Sequence, residues 1–557
     1  MSAQPEAIDS RQSTGAFAPL REPPFRRIWS ASLLSNFSQL FLGVGAAWEM
    51  TRLTDSPTMI ALVQTAMMVP LMLVTLPAGA MADMHDRRKI AMAGLAFASA
   101  SAALLTLVSF QDWTTPWLLL GFCLLIGAGV AIFVPSWQSS IPEQVSRKNL
   151  PAAVALGTIS YNVARSFGPA LGGLIVLAAG AKAVFGLTAI LYIPLFVAFM
   201  LWNRKHVPSR LPPERIDRAI VGGARYALHS SPIRTALVRV LIFGLATATA
   251  TALAPLVAKD ILNGDAAVFG ILLGAQGVGA VLGALFVSDI RQRFSIEATV
   301  RTCAVGTGIA LVAIGLTTSL VGQCAAFFVV GACNIITIAQ LNVGVQLSAP
   351  RWVTARALSL FSSAITAGVG IGAWGWGVFA GSQGVGTAYI VSGVATAITA
   401  FAGILYPLRR EVEGESDSVD IGNEVAVALP LTARSGPVVI EIEYDVDPEV
   451  ARKFYDATMR LARVRKRNGG FDWSISRDIA DPAKWIERYS CPTWGDYLRM
   501  RDHYTQIDLE IQDEANSFNR IPGEMRVSRR LARPFGSVRW KADTPDPEQE
   551  TVTWFGP

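Results

Sequence analysis

Long stretches without a charged side chain alternate with short basic segments over the first 408 residues. The longest charge-free stretch, Ala357–Leu408, covers 52 residues, and Thr302–Pro350 covers another 49. A helix needs about 20 apolar residues to cross the hydrocarbon core of a bilayer, so each stretch is long enough for two crossings and a tight turn. The pattern therefore predicts segments that span a membrane.

The upstream part of the chain repeats this pattern. Eight further spans are predicted in Ile28–Trp48, Thr58–Met81, Ile90–Gln111, Trp113–Pro142, two segments of Ala152–Trp202, Val240–Ala258 and Ala266–Ser288. Unpaired backbone groups are costly in hydrocarbon, and a β-barrel would show short alternating segments instead of long apolar blocks. We therefore predict an all-α membrane bundle of twelve transmembrane helices.

Composition agrees with a membrane protein that carries a soluble tail. Of the 557 residues, 52% are hydrophobic and 16% are charged, and the charged residues concentrate after residue 408. The net charge of +6 does not predict a nucleic-acid partner, because the basic residues before residue 410 lie between spans rather than along one exposed helix. No Gly-x-x-x-x-Gly-Lys-Ser/Thr loop is present, so ATP is not predicted to drive the protein.

Arginine and lysine concentrate in alternate loops. They precede the first span and follow every even-numbered one, whereas the other loops offer only Arg52, Lys182 and Lys259. The positive-inside rule then places both termini and the long middle loop in the cytoplasm. We predict a multi-pass protein of the cytoplasmic (inner) membrane.

Seven segments follow from this topology. They are a cytoplasmic N-terminal tail (1–27), a first six-helix half (28–203), a cytoplasmic central loop (204–234), a second six-helix half (235–408), a linker (409–436), a cytoplasmic domain (437–540) and a tail (541–557). Two six-helix halves around a basic loop are typical of transporters that bind substrate between the halves.

The soluble segment has a different periodicity. Alternation around Ile440–Tyr444 predicts a strand, helical spacing over Val450–Val464 predicts a helix, and alternation returns in Phe471–Ile475 and Trp485–Tyr489. A single second helix is predicted to carry Tyr497, Met500, Tyr504, Ile507 and Ile511, and a last strand is predicted in Glu524–Arg530. This order predicts a small α+β ferredoxin-like domain.

A glycine and an aspartate precede a basic cluster between spans two and three. Gly79 permits close helix contact, and Asp83 can meet a helix N-terminus or an arginine of the neighbouring half. We predict a conformational latch formed by Gly79, Asp83, Arg87 and Arg88. The alternative is an ordinary basic cytoplasmic loop.

Span five contains an unusual motif made of Asn162, Arg165, Gly168, Pro169, Gly172 and Gly173. Proline frees a backbone carbonyl and the glycines remove side chains, so a bend that seals one side of a cavity is expected. Arg165 is the only charge between Lys148 and Lys182 and should face the bundle interior. Two roles stay open for Arg165: substrate or proton coupling, or a structural contact with backbone carbonyls.

Few groups within the spans can bind protons or ligands. Glu49 is the proton-coupling candidate, although an ion pair with Arg52 is an equal alternative, and no acidic residue lies deep in spans seven to twelve. The substrate-cavity candidates are Asn36, Gln39, Gln64, Trp137, Tyr161, Gln276, Asn334 and Gln340. The alternative for each is a contact that holds two helices together.

The loop from Gly79 to Lys89 resembles the signature loop of the major facilitator superfamily, with departures at Met84 and Asp86. The Gly168–Gly173 motif is similar to that of antiporters in this superfamily. The Asp83-x-x-Asp86 variant resembles the branch of the enterobactin exporter and the transmembrane secretion effectors. The stretch from Trp494 to Gln506 resembles the second helix of dimeric α-β barrel monooxygenases.

The resemblance implies a secondary active transporter that exports a small amphipathic molecule, such as a siderophore, drug or metabolite, by alternating access with proton antiport. It also implies dimerisation through the C-terminal domain as one arrangement. We expect no enzyme activity, catalytic residue, cofactor or metal site, because His503 is the tail's only histidine and has no cysteine or acid at a triad spacing. Two alternatives stay open: a bifunctional transporter with a monooxygenase-like or ligand-binding tail, and a membrane sensor that does not transport.

Overall fold

The computed structural model describes residues 17–84, 86–146, 149–203, 225–350, 353–401, 403, 427–429, 431–432, 434–502, 504–520 and 526–532. The chain divides into two compact units. The first contains Met1–Ile216, Thr235–Asn342 and Ser359–Leu408, and the second contains Asp217–Arg234, Val343–Leu358 and Arg409–Pro557. Most of the long apolar helices belong to the first unit, and the second unit contains the only sheet among the described residues.

Among the residues described, five helices form the first half of the bundle: α1 Pro23–Leu53, α2 Pro57–Met84, α3 Arg87–Phe110, α4 Pro116–Gln144 and α5 Leu150–Met200. Proline begins α1, α2 and α4, where its fixed backbone angle suits a helix and no amide hydrogen is required. The Asp86 carboxylate caps α3 by accepting a hydrogen bond from the Arg88 amide. A non-helical backbone at Gly180, with φ of +78°, divides α5 into two stretches.

The described residues of the second half form six longer helices: α6 Ser231–Thr247, α7 Ala266–Arg293, α8 Ile296–Leu316, α9 Leu320–Ser348, α10 Thr354–Gln383 and α11 Val385–Ile398. Two short helical turns and a π-helical turn, Val257–Ile261, connect α6 to α7. Asp265 and Ser295 cap α7 and α8 because their side chains accept hydrogen bonds from backbone amides.

Within the described residues, nine helices are long and apolar enough to cross a membrane. One of them, Ala152–Met200, includes the break at Gly180. Helix α1 is not among the nine; its charge-free part contains four serines, which lower its hydropathy. The shorter helix Val385–Phe401 is apolar as well. The prediction of a mostly helical membrane protein is confirmed.

The described part of the C-terminal domain has four strands and three helices. In chain order these are β1 Val438–Asp445, α12 Ala451–Arg467, β2 Phe471–Arg477, β3 Lys484–Cys491, α13 Trp494–Asp502, α14 Gln506–Asn516 and β4 Arg526–Leu531. The sheet order is β2-β3-β1-β4, and all neighbouring strands are antiparallel. The inward faces of the strands pack with α12 and the aromatic residues of α13 in one hydrophobic core.

The prediction of one continuous second helix in this domain is wrong. Tyr504 lies between α13 and α14 rather than inside a helix. Thr505 starts α14 with a capping box, in which its hydroxyl accepts from the Asp508 amide and the Asp508 carboxylate accepts from the Thr505 amide. Reciprocal capping of this kind fixes the start of a helix. The apolar residues whose spacing predicted one helix therefore belong to two.

A buried ion pair lies at the centre of the domain. Arg465 of α12 and Glu487 of β3 are 3% and 0% exposed, and Arg465 Nε donates to Glu487 Oε1 over 3.1 Å. Trp473 Nε1 donates to the same oxygen over 2.9 Å, and the Tyr444 hydroxyl donates to Oε2 over 3.0 Å. Burial, reinforced by the Glu487 carboxylate, raises the pKa of Tyr444, so this hydroxyl keeps its proton at neutral pH.

Replacing Glu487 with glutamine should destabilise the C-terminal domain by about 3–5 kcal/mol, because the Arg465 guanidinium would remain buried without a counter-charge. Glu510→Gln, an exposed position on α14, is the control and should change stability by less than about 0.5 kcal/mol. Hydrogen exchange of the β1 and β3 amides in the full-length protein over a urea series measures the difference. Equal stability of the two variants would contradict a stabilising role for the pair.

Candidate functional site

The two halves of the bundle pack backbone to backbone where α5 crosses α7. A Cβ added to Gly173 would lie 2.6 Å from the Cα of Gly270, and a Cβ added to Gly270 would lie 2.9 Å from the Cα of Gly173. Real Cβ atoms do not approach other heavy atoms this closely. The contact therefore requires glycine at both positions, as in other membrane helices that pack backbone to backbone.

A second contact between the halves joins α2 to α10. Thr58 Oγ1 donates to the carbonyl of Gly377 over 3.2 Å, and Thr65 Oγ1 donates to the carbonyl of Gly370 over 2.8 Å. A Cβ added to Gly377 would lie 2.6 Å from the Cβ of Ala61. Small residues again bring the two backbones together, and threonine hydroxyls bridge them.

A third contact joins the end of α1 to the connection between α6 and α7. Lys259 Nζ donates to the carbonyl of Thr51 over 2.8 Å and to Asp55 Oδ1 over 2.9 Å. The Trp48 ring stacks on Phe269 with a centroid distance of 6.2 Å. This contact combines a charged hydrogen bond with aromatic packing.

These three contacts lie at one end of the bundle, and we name them the seal. Helix α1 ends and α2 begins on either side of Thr54–Ser56, and the Lys259 contact brings the start of α7 to the same place. Helix α10 contributes Gly377 near its end and Gly370 near its middle, and α5 contributes Gly173, seven residues before its break at Gly180. The halves are therefore closed against each other at the Thr54–Ser56 end.

The span-five motif takes part in the seal. A Cβ added to Gly168 would lie 2.9 Å from the Cβ of Leu40, and one added to Gly172 would lie 3.3 Å from Phe41 Cδ1, so both glycines face α1. Gly173 faces α7, and the Pro169 carbonyl is also next to Gly270. Arg165 is half-buried and has no hydrogen bond to another described residue. The Asn162 side chain lies outside the described residues.

The predicted latch region lies at the opposite end of α2. Gly79 and Asp83 belong to the last turns of α2, but the placement of the Asp83 side chain is outside the described part. Arg87 Nη1 donates to the carbonyl of Ser139 over 2.7 Å and to Glu143 Oε1 over 3.0 Å. Arg88 donates to the carbonyl of Met200. The two arginines thus bind α4 and α5 of their own half.

The substrate-cavity candidates do not converge on one place among the described contacts. Asn36 Nδ2 donates to Ser160 Oγ over 3.1 Å and so links α1 to α5, while Trp137 stacks on Phe133 with a centroid distance of 6.4 Å. Tyr161 is exposed, and Gln276 and Gln340 are buried. The remaining candidates are partly exposed: Gln39, Gln64 and Asn334.

Glu49 lies near the seal, in the last two turns of α1. Arg52 Nη1 donates to Glu49 Oε2 over 3.2 Å, and the Glu49 side chain is buried while that of Arg52 is exposed. The ion pair that the sequence offered as an alternative is thus present.

A charged cluster in the second half was missed by the sequence reasoning. Arg239 of α6 is buried and donates to Glu297 Oε2, and Arg301 Nε donates to Glu297 Oε1 over 2.8 Å. A cavity of about 10 Å³, enough for one water molecule, adjoins Arg239 and Thr337. Within the described residues, Arg239 Nη2 and Thr337 Oγ1 have no hydrogen-bond partner. The sequence did contain a sign of this cluster, because Arg239 immediately precedes the charge-free stretch Val240–Ala258.

Among the described residues, no group of three or more His, Cys, Asp or Glu side chains is arranged to hold a metal ion. His503 lies outside the described residues.

The chain is similar to known transporters along most of its length. The staphyloferrin A transporter of Staphylococcus aureus is 24% identical over 260 residues, which are 45% of this chain and 64% of that protein. This match spans less than two thirds of the relative. The multidrug efflux pump Tap of Mycolicibacterium fortuitum is 23% identical over 398 residues, which are 68% of this chain and 97% of the pump.

The fold is also that of solved transporters. A bacterial homologue of the human lysosomal transporter Spinster, in an inward-facing and unoccupied conformation, superposes with a TM-score of 0.55 at 13% identity. The superposition covers 70% of this chain and 96% of that structure. The family described as "Transmembrane secretion effector" matches residues 14–535. The chain is therefore a multi-pass membrane transporter of the major facilitator superfamily and belongs to its transmembrane secretion effector family.

Proposed function

We propose that this protein exports a small amphipathic molecule across the cytoplasmic membrane by alternating access. The observation that carries the proposal is the seal, because described contacts between the halves concentrate at one end of the bundle. A transporter that rocks its halves about a central site must close one end while the other opens. The staphyloferrin A transporter and the Tap efflux pump, by name, support a siderophore or a drug as the substrate class.

The proposed topology has twelve spans with both termini in the cytoplasm. The nine membrane-length helices become ten when Gly180 divides α5, and α1 and Val385–Phe401 complete the twelve. Arg87 and Arg88 lie at the end of the bundle opposite the seal, and the positive-inside rule assigns that end to the cytoplasm. In this proposed topology the seal would face outward, and the described arrangement would be the one closed to the outside.

The segment 437–540 is proposed to be a ferredoxin-like domain. Its strand order β2-β3-β1-β4 and its helix positions support this assignment. The sheet face away from the helices carries Glu441, Glu443, Arg488 and Arg530, so a dimer formed through this face would depend on charge pairs rather than apolar packing. The bifunctional alternative has less support, because the domain centre is filled by the Arg465–Glu487 pair.

Proton antiport is the proposed drive. Glu49 and Glu297 are the candidate carboxylates, and each is paired with arginine in the described state. A carboxylate that exchanges its charged partner during the transport cycle is one way in which protons can be coupled to a conformational change.

Purified protein in proteoliposomes tests the proposal. With a pH gradient imposed, staphyloferrin A or a fluorescent cationic dye should accumulate at least threefold above liposomes without protein. Collapse of the gradient with a protonophore should abolish the accumulation if protons drive transport. A membrane sensor would bind the compounds and give no flux, and flux that survives the protonophore would contradict antiport.

Gly173→Val should reduce transport at least tenfold. The new side chain would meet the Gly270 backbone, so α5 and α7 could not close the seal. Gly121→Val is the matched control, because a Cβ at Gly121 meets no atom within 4 Å. Flux per inserted molecule measures both variants, and normal transport by Gly173→Val would exclude this closure from the cycle.

Asp83→Asn should reduce transport about tenfold while membrane insertion stays intact. Loss of the carboxylate removes the proposed latch but changes no apolar span, and a tenfold rate change corresponds to about 1.4 kcal/mol. Flux normalised to the amount of protein extracted from the membrane provides the measurement. Unchanged flux would leave the basic loop with only its topological role.

A further inference from the structure

The segment immediately before α6 packs in the same compact unit as the C-terminal domain. Residues 225–229 are helical, and Ser230 alone separates them from the first residue of α6. Tyr226 is 2% exposed and Ala227 is fully buried. Tyr226, an aromatic residue of the loop that joins the two halves, is therefore buried within the second compact unit.

Tyr226 contacts a cation of the C-terminal domain. The Arg467 Cζ atom lies 5.2 Å from the centroid of the Tyr226 ring, within the range of a cation–π interaction. Arg467 also forms an ion pair with Asp508, whose side chain is fully buried. Burial raises the pKa of Tyr226 to about 12, with Arg467 opposing and Asp508 adding to the shift, so the hydroxyl stays protonated at neutral pH.

Arg225 contacts the turn that follows α12. Gly469 has a φ of +111°, and a Cβ at this position would lie 2.9 Å from Arg225 Nη2. Burial lowers the pKa of Arg225, and the Asp496 carboxylate acts in the opposite direction. Two consecutive residues of the loop thus meet the domain, one at Gly469 and one at Arg467.

The contact has a continuous backbone connection to α6. The Ser230 amide donates to the carbonyl of Tyr226, and the Arg234 amide donates to the carbonyl of Ser230, each over 2.9 Å. Hydrogen-bonded backbone therefore connects Tyr226 directly to the first turn of α6. If that turn moves, either the C-terminal domain must move with it or the contact between Tyr226 and Arg467 must break.

We propose that the C-terminal domain regulates transport by holding residues 225–230, and that this hold differs in strength between conformations of the transporter. The proposal rests on the alternating-access function proposed above. A contact made in only one of two states shifts their equilibrium by its own free energy, so the domain and the membrane helices influence each other reciprocally. Arg225 and Tyr226 are the loop residues that are held, and Arg467, Gly469 and Asp508 form the surface of the C-terminal domain that holds them.

Hydrogen exchange of the full-length protein in lipid nanodiscs tests the contact. Tyr226→Ala and Arg467→Ala should each accelerate exchange of the amides in 226–234 at least tenfold, and the double variant should exchange no faster than the faster single one. The controls are Tyr455→Ala and Arg463→Ala, two exposed positions on α12. Unchanged β1 exchange in each variant verifies that the domain remains folded, and protection of 226–234 in Tyr226→Ala would overturn the contact.

Transport by the same proteins tests regulation. Tyr226→Ala and Arg467→Ala should change the turnover in proteoliposomes at least threefold, both in the same direction, while the two controls match the wild type. Release of the segment with unchanged turnover would overturn the regulatory role. Absence of flux in the wild type would refute the proposed transport function and regulation together, whereas the exchange result would still decide whether the contact exists.

Discussion

Close contact between glycine backbones governs how the two halves of the membrane unit meet. At Gly173 and Gly270 the helices approach within a distance that no side chain tolerates, and Gly377 gives α10 the same access to α2. Lipid tails are as apolar as leucine, so helices in a bilayer gain little from burying apolar area and depend on tight packing and hydrogen bonds. The three contacts of the seal use these two means, with threonine hydroxyls and the Lys259 ammonium as donors.

Buried charge follows one rule in both compact units. Arg239 is matched by Glu297 in the membrane unit, and Arg465 is matched by Glu487 in the C-terminal domain. Removing an ion from water is expensive unless an opposite charge and further hydrogen bonds replace the lost hydration. The Glu487 carboxylate has a full set of partners, whereas the Arg239 cluster adjoins a small cavity and atoms without a bonded partner among the described residues. The first arrangement is suited to a fixed core, and the second to a group that changes partners.

Charge-free stretches located most membrane helices but misplaced several ends. The stretch that starts at Val240 suggested a span beginning there, whereas α6 begins at Ser231 and places Arg239 two turns inside the helix. Glu297, likewise outside the predicted span, belongs to the first turn of α8. A charge that has a partner can lie inside a helix, and pairing is a tertiary property that a single sequence does not reveal. The same limit applies to Gly173 and Arg87. The sequence showed the motifs that contain them, but it did not show that Gly270 and Glu143 are their partners.

In the C-terminal domain, apolar spacing continued across the Thr505 cap, so the boundary between α13 and α14 depended on one local hydrogen-bond pattern.

The composition of the seal determines its response to the surrounding medium. Most of its contacts join neutral groups, and its one ion pair uses Asp55, which is almost fully solvated. Dissolved ions screen such an exposed pair but have little effect on packed glycines or on hydrogen bonds between threonine and a carbonyl. Closure at this end should thus be nearly independent of ionic strength.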